Sequence, residues 1–314
     1  MSSSVKGNST NTIGNPVSAC VVWETFNTST KPNVGDVVKN VVYKSGTIVF
    51  ETTNKAGNAL IAVKDASNAI LWSWHIWVTD YNPSTDYDIY RGFEGLKVMD
   101  RNLGALSSEK GDKSVGMVYQ WGRKDPFMGN ANGYTFAATL EPQTITTSSS
   151  IGTDSYAIKN PNHFIIASSQ GGDWRYTPFS EAWMSSKTEL DPCPKGWKVP
   201  EGGENGLWKK YAIPNSSARE FDLTNKGMLF GTDYALSPVW MPAQGYLSDS
   251  NTYHTGWWQV GSEGRYWSST ILGSKHSEFF QFKPDQVVIS HKSSERNTHC
   301  SRATGMPIRC VEDK

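Results

Sequence analysis

Between Val21 and Val78 apolar residues recur at every second position, the spacing of β-strands with one buried face. The clearest run is Ile70–Val78. Ile70, Trp72, Trp74, Ile76 and Val78 share one face, with Ser73 and His75 on the other, which predicts His75 as a surface residue rather than a ligand. Thr47–Glu51 and Ala59–Lys64 read as partner strands, set off by turn chemistry at Lys44-Ser45-Gly46 and Asp65-Ala66-Ser67-Asn68. The strands are fewer than the roughly seven of a full sandwich, so residues 20–82 read as a small, truncated β-sandwich behind a flexible lead-in at 1–19. After a linker at Asp80–Asp86 the pattern changes. Residues 83–314 scatter glycine and tryptophan through irregular text, with helical signal only at Val115–Arg123 and Asn205–Ala212. Gln143–Ser155 reads as an exposed loop. Alternation returns at Phe280 and Phe282, then at Val287 and Ile289, which mark strand faces turned to a core. The absence of an internal repeat excludes a solenoid or propeller.

Composition narrows the function classes. Lys+Arg and Asp+Glu are 30 each, a balance that argues against a general nucleic-acid binder or a polybasic membrane-surface protein. Aromatics at 12%, with 13 tryptophans, supply ample material for a core and exclude global disorder. No apolar run approaches the roughly 20 residues of a membrane span. The start, Met-Ser-Ser-Ser-Val-Lys-Gly, lacks the apolar centre of an export signal. Four cysteines (Cys20, Cys193, Cys300, Cys310) are too scattered for a zinc ribbon, and they allow three full pairings among which spacing does not choose.

Six segments carry a resemblance. They are Val98–Ala105 (VMDRNLGA), Tyr119–Phe127 (YQWGRKDPF), Asp191–Pro200 (DPCPKGWKVP), Trp240–Tyr246 (WMPAQGY), Gly264–Ser269 (GRYWSS) and Gly305–Val311 (GMPIRCV). In this order, they resemble the major-paralogous, C-type-lectin-like domain of surface proteins from Bacteroidetes and Fibrobacter. Gly57–Ala66 and Leu71–Trp77 resemble the fimbrillin-like β domain that often precedes it. The resemblance implies an α+β, C-type-lectin-like fold for 83–314: a twisted antiparallel sheet, two short helices and long ordered loops. It implies an exported, non-catalytic adhesin at the cell surface, or the variable protein of a diversity-generating retroelement, with a protein or glycan ligand on another cell. The alternative is a structural fimbrial tip or adaptor subunit that touches other pilus subunits. It further implies a Cys193–Cys310 disulfide, and it makes the chain a piece that begins inside a longer exported protein.

Other chemistries fit less well. Calcium-dependent sugar binding needs converging oxygen ligands, and neither a Glu-Pro-Asn nor a Gln-Pro-Asp triplet occurs. Asp80, Asp86 and Asp88 read as a solvated acidic turn. His291, His299 and Cys300 lack a zinc spacing and a fourth ligand, so no metal or other cofactor is expected. A formylglycine-generating type of oxidase, which shares the fold implied above, would need Cys300 and Cys310 as a reactive pair. Trp72, Trp74, Trp121, Trp197 and Trp267 are assigned to core. Trp257 and Trp258 are adjacent and cannot both point inward from a strand, so one of them is a candidate contact. Between Tyr266 and Val311 the residues left after removing the apolar scaffold mix acids, bases, imidazoles and aliphatics. Ile271, Leu272, Lys275, His276, Glu278, Gln281, Asp285, Gln286, His291, Lys292, Glu295, Arg296 and His299 are therefore expected to be exposed and to form a ligand-binding surface.

Overall fold

The computed structural model describes residues 11–131, 134–168, 172–179, 181–211, 218–231, 236–250, 254–289 and 301–314. It consists mostly of β-strands in small sheets, with two short α-helices among the described residues. Among the described residues all strand pairs are antiparallel except Gln143–Thr146 with His163–Ile166, which is parallel.

The N-terminal strands are β1 (Ser18–Thr25), β2 (Val38–Lys44), β3 (Thr47–Thr52), β4 (Gly57–Lys64) and β5 (Ile70–Val78). They form a three-stranded sheet in the order β1-β4-β5 and a β2-β3 hairpin. Between the two lies a core of Val37, Val38, Ile48, Ala59, Ile61, Val63, Trp72 and Ile76. The alternation in β5 thus places Trp72 and Ile76 where expected. Ile13 also packs into this core, so the lead-in is anchored from there rather than flexible up to residue 19. The chain returns from β1 over a buried carboxylate: Glu24 accepts from the backbone N–H groups of Gly35, Val37 and Val38 at 2.6–2.9 Å.

The other face of this sheet is where expectation and structure part. Leu60 joins a core built from residues of the second region, including Met99, Tyr119, Trp121 and Trp267. Ser73 is buried and donates to Asp125 Oδ1 at 2.6 Å, while Lys124 Nζ donates to the Ser73 carbonyl at 3.0 Å. His75 is half-buried in the same seam rather than on the surface. The Asn58 amide donates to Asn27 Oδ1 and to the Gly104 carbonyl, both at 2.8 Å. That fixes Asn58 Oδ1 as an acceptor, so the His75 Nε2–H must donate to it, at 2.7 Å. Nδ1 is left to accept from Tyr119 Oη at 3.3 Å.

Burial in this seam pushes the His75 imidazole down to about 3. A depressed folded value means that only the unfolded chain takes up the proton between about pH 6.5 and pH 3. Stability from this group is therefore full above pH 6.5 and falls by about 1.4 kcal/mol per pH unit below it. Asp88, raised to about 6 by burial, acts in the opposite sense below pH 6. Denaturant melts of the parent and His75→Gln from pH 7 to pH 5 separate the two: the parent should lose more stability on acidification than the variant. Parallel pH profiles would contradict the buried neutral tautomer.

In the second region, one four-stranded sheet runs Trp197–Lys198, Val311–Glu312, Lys97–Met99, Tyr87–Ile89. Another runs His254–Trp258, Tyr246–Ser250, Gly305–Met306, Tyr119–Gln120. The predicted helix at Asn205–Ala212 corresponds to α2 (Leu207–Tyr211), which follows α1 (Asp154–Lys159). Val115–Arg123 is not helical. A Cβ on Gly116 would meet the Leu103 carbonyl at 2.6 Å, a backbone approach that only an extended glycine permits, and Gly122 has φ +81°. Gln143–Ser155 is not a plain loop either, since it holds the parallel strand and the start of α1, capped by Thr153. The acidic turn is not simply solvated: Arg101, itself buried, pairs with Asp80 and Asp100, each at 2.8 Å, and Asp88 is half-buried.

Candidate functional site

The frame of the expected surface is a three-stranded sheet of Gly264–Leu272, His276–Lys283 and Gln286–Ile289. Tyr266, Phe280, Phe282, Val287 and Ile289 pack with Trp208 and Phe230 on one side. Trp267 and Phe279, paired across the strands, face the opposite way into the core around Trp121. The strand His276–Lys283 is thus buried on both faces from Ser277 to Phe282.

That double burial corrects two expectations. Glu278 and Gln281 are 1% and 5% exposed and do not face a ligand. Both Glu278 oxygens accept from the Gly203 N–H, at 3.0 and 2.9 Å. A Cβ on Gly202 would collide with the same carboxylate, so the glycine pair lets backbone reach a buried anion. Gln281 donates to Glu263, which also accepts from Arg265, whose guanidinium lies 3.8 Å from the Tyr246 ring centroid. These are ties within the protein, not contacts left open for a ligand.

The remaining residues divide between the two ends of the sheet. Ile271 is 42% exposed, Leu272 and His276 are half-buried and Lys275 is exposed, all at the turn between the first two strands. Asp285 and Gln286 are exposed at the other turn, roughly 23 Å away along the strand at about 3.3 Å per residue. The structure does not bring these two groups together. His291, Lys292, Glu295, Arg296 and His299 lie outside the described residues, as does Cys300. Trp257 and Trp258 are both half-buried on opposite faces of their strand: Trp257 packs against the Val118, Phe127, Phe164 and Ile166 cluster, Trp258 against the core around Trp121.

The expected disulfide is present. Cys193 and Cys310 are bonded across 6.0 Å between Cα atoms, both buried beside Trp197 and Met99. Cys310 is therefore not paired with Cys300, as the oxidase alternative needs. Cys20 is a half-buried free thiol, raised by burial. Of the tryptophans assigned to core, Trp72, Trp121, Trp197 and Trp267 are buried and Trp74 is half-buried. Among the described residues no group of three or more His, Cys, Asp or Glu is placed to hold a metal ion, and no helix is long and apolar enough to cross a membrane.

Beside the Ile271–His276 turn lies one further group. Arg302 is fully buried. Its Nε donates to Ser277 Oγ at 3.0 Å, its Nη1 to Asp173 Oδ2 at 3.2 Å and to the Phe179 carbonyl at 3.3 Å, and its Nη2 to the Gly273 carbonyl at 3.3 Å. The guanidinium stacks 4.4 Å from the Trp121 ring centroid. One side chain thereby ties residues 172–179 to the turn. Tyr176 and Phe179 there, and Met184 further on, are exposed. The signal was present as aromatic density without periodicity in Asp173-Trp174-Arg175-Tyr176-Thr177-Pro178-Phe179, which no strand or helix could bury on one face.

Comparison with family models, curated proteins and solved structures finds no match for this chain.

Proposed function

We propose that the chain is a non-catalytic ligand-binding protein of the cell-surface adhesin kind, with a C-type-lectin-like second region that displays variable side chains at the Ile271–His276 turn. The observation that carries this reading is the sharp division within one hairpin. Strand positions 277–282 are buried on both faces, while the adjoining turn stands exposed on a frame fixed by Arg302. A surface whose side chains can change without touching the core is what a variable binder needs. The resemblance of the six segments supports the surface location, and a retroelement-diversified cassette between Tyr266 and Val311 is the extended form of the reading.

A second reading, a structural fimbrial tip or adaptor subunit, draws on the β2-β3 hairpin. Val42 and Val49 face each other across its strands at 48% and 50% exposure, and the hairpin forms a sheet of its own among the described residues. Apolar strand faces exposed in this way can be covered by a partner subunit's strand or side chains.

Simultaneous replacement of Ile271, Leu272, Lys275 and His276 tests the first reading. Binding to a panel of host and bacterial cells should change severalfold, while each replacement shifts stability by no more than about 0.5 kcal/mol. A fall in stability large enough to account for lost binding would sink it. At the coding locus, a reverse transcriptase gene beside a near-copy of the segment for residues 264–311 would support the diversified form.

A further inference from the structure

The Ile271–His276 turn is gripped from behind, by its main chain. Arg302 Nη2 donates to the Gly273 carbonyl and Nε to the His276 carbonyl, each at 3.3 Å. The Arg302 backbone N–H donates to the Lys275 carbonyl at 3.4 Å, and Ser301 pairs with His276 as an antiparallel bridge. The side chain that Arg302 bonds, Ser277 Oγ at 3.0 Å, already lies inside the core. Carbonyl oxygens are common to every amino acid, so contacts of this kind survive a change of side chain.

The clamp is itself immobile. The Arg302 guanidinium stacks 4.4 Å from the Trp121 ring centroid and faces Asp173 Oδ2 at 3.2 Å, while its own carbonyl accepts from the Trp121 N–H at 3.1 Å. The strand entering the turn is fixed in the same manner. The Ser269 N–H donates to the Pro200 carbonyl, and Thr270 Oγ1 accepts from the Gly202 N–H, both at 2.9 Å. Gly273, at φ +70° with open space around it, supplies the left-handed residue of the reversal. Ile271, Leu272, Lys275 and His276 thus project from a backbone that other atoms set.

We infer that Arg302 is the positioning residue of the display turn, giving it one backbone shape for any side chains at 271, 272, 275 and 276. A turn ordered in advance loses little affinity to loop ordering, whatever sequence it carries. That use of the turn rests on the binding reading above.

Nickel(II) is the probe, because it needs no knowledge of the natural partner. Leu272 lies directly across from His276, so Leu272→His sets two imidazoles opposite each other, about 5 Å apart at Cβ. Titrated on the full chain, this variant should bind nickel about tenfold more tightly than the parent. Adding Ile271→Ser and Lys275→Ala should change that affinity by less than about twofold. Adding Arg302→Lys keeps a positive charge opposite Asp173, but one ammonium cannot span both carbonyls. Nickel affinity should then fall about tenfold, with faster hydrogen exchange at the Ser274 and Lys275 amides while Phe280 and Phe282 stay protected. Arg302→Met with Asp173→Asn replaces Arg302→Lys if the latter does not fold. No gain from Leu272→His, a severalfold response to the 271 and 275 replacements, or indifference of nickel affinity and turn exchange to Arg302 each overturns the inference. If both readouts follow Arg302 while replacing the four turn residues leaves cell binding unchanged, the positioning role stands and the binding reading fails.

Discussion

The double variant Cys193→Ala/Cys310→Ala is expected to lose about 4 kcal/mol of folding stability. The bridge spans a sequence separation of 117 residues. Cross-linking a loop on the order of 100 residues removes about 4.7 kcal/mol of chain entropy from the unfolded state, before any strain is subtracted. Both cysteines are buried among Trp197, Val199, Ile308 and Met99, so two alanines also leave small cavities. Guanidinium melts of parent and variant at neutral pH, without reductant, measure the difference. A midpoint shift worth less than about 1 kcal/mol would mean that the 193–310 loop is already constrained when unfolded. Peptide mapping without reduction should recover the 193–310 pair, and recovery of Cys20 or Cys300 bonded to either partner would contradict the structure.

Arg302→Met should cost about 3 to 5 kcal/mol, because it removes one partner of a buried ion pair and leaves the other. Asp173 has a side chain only 1% exposed and faces Arg302 at 3.2 Å. Burial already pushes its carboxyl up, against the pull of Arg175 and Arg302. Without Arg302 that carboxyl should take up a proton more readily still. The sign follows: a raised folded value adds stability as pH falls through it, so the gap between parent and variant should narrow in acid. Adding Asp173→Asn to Arg302→Met should recover part of the loss, giving a double-mutant coupling of 1 kcal/mol or more, on the order seen for contacting pairs. Additive losses would show that the guanidinium acts through its carbonyl contacts and Trp121 alone. The Phe179 and Gly273 carbonyls lose their donor in the same variant.

The legible parts of the chain were those whose partners lie close in sequence or whose pattern has a period. The β5 alternation located Trp72 and Ile76 in the core, and the spacing of Phe280, Phe282, Val287 and Ile289 located four members of a second core. The Cys193–Cys310 pair followed from family resemblance, not from spacing. What escaped was polar burial. Ser73, His75, Glu278 and Gln281 read as solvent-facing because their side chains are polar, yet each is satisfied by a group far along the chain: Asp125, Asn58 and Tyr119, Gly203, Glu263. Strand alternation separates apolar from polar; it cannot tell a polar face that meets water from one that meets another sheet. Tyr176 and Phe179 escaped for the complementary reason, being apolar in irregular text with no period to judge them by.

The seam beneath β4 and β5 has a mechanical consequence. Apolar surfaces tolerate sliding, since one methyl replaces another under a shifting neighbour. Directional bonds do not: the Gly104 carbonyl receives both Asn27 and Asn58, and the Asn58 amide is oriented by His75. The sheet therefore sits on the second region as a key in a keyway. Tension applied to the N-terminal strands would reach the Trp121 core without rotation, until this set of hydrogen bonds parts together.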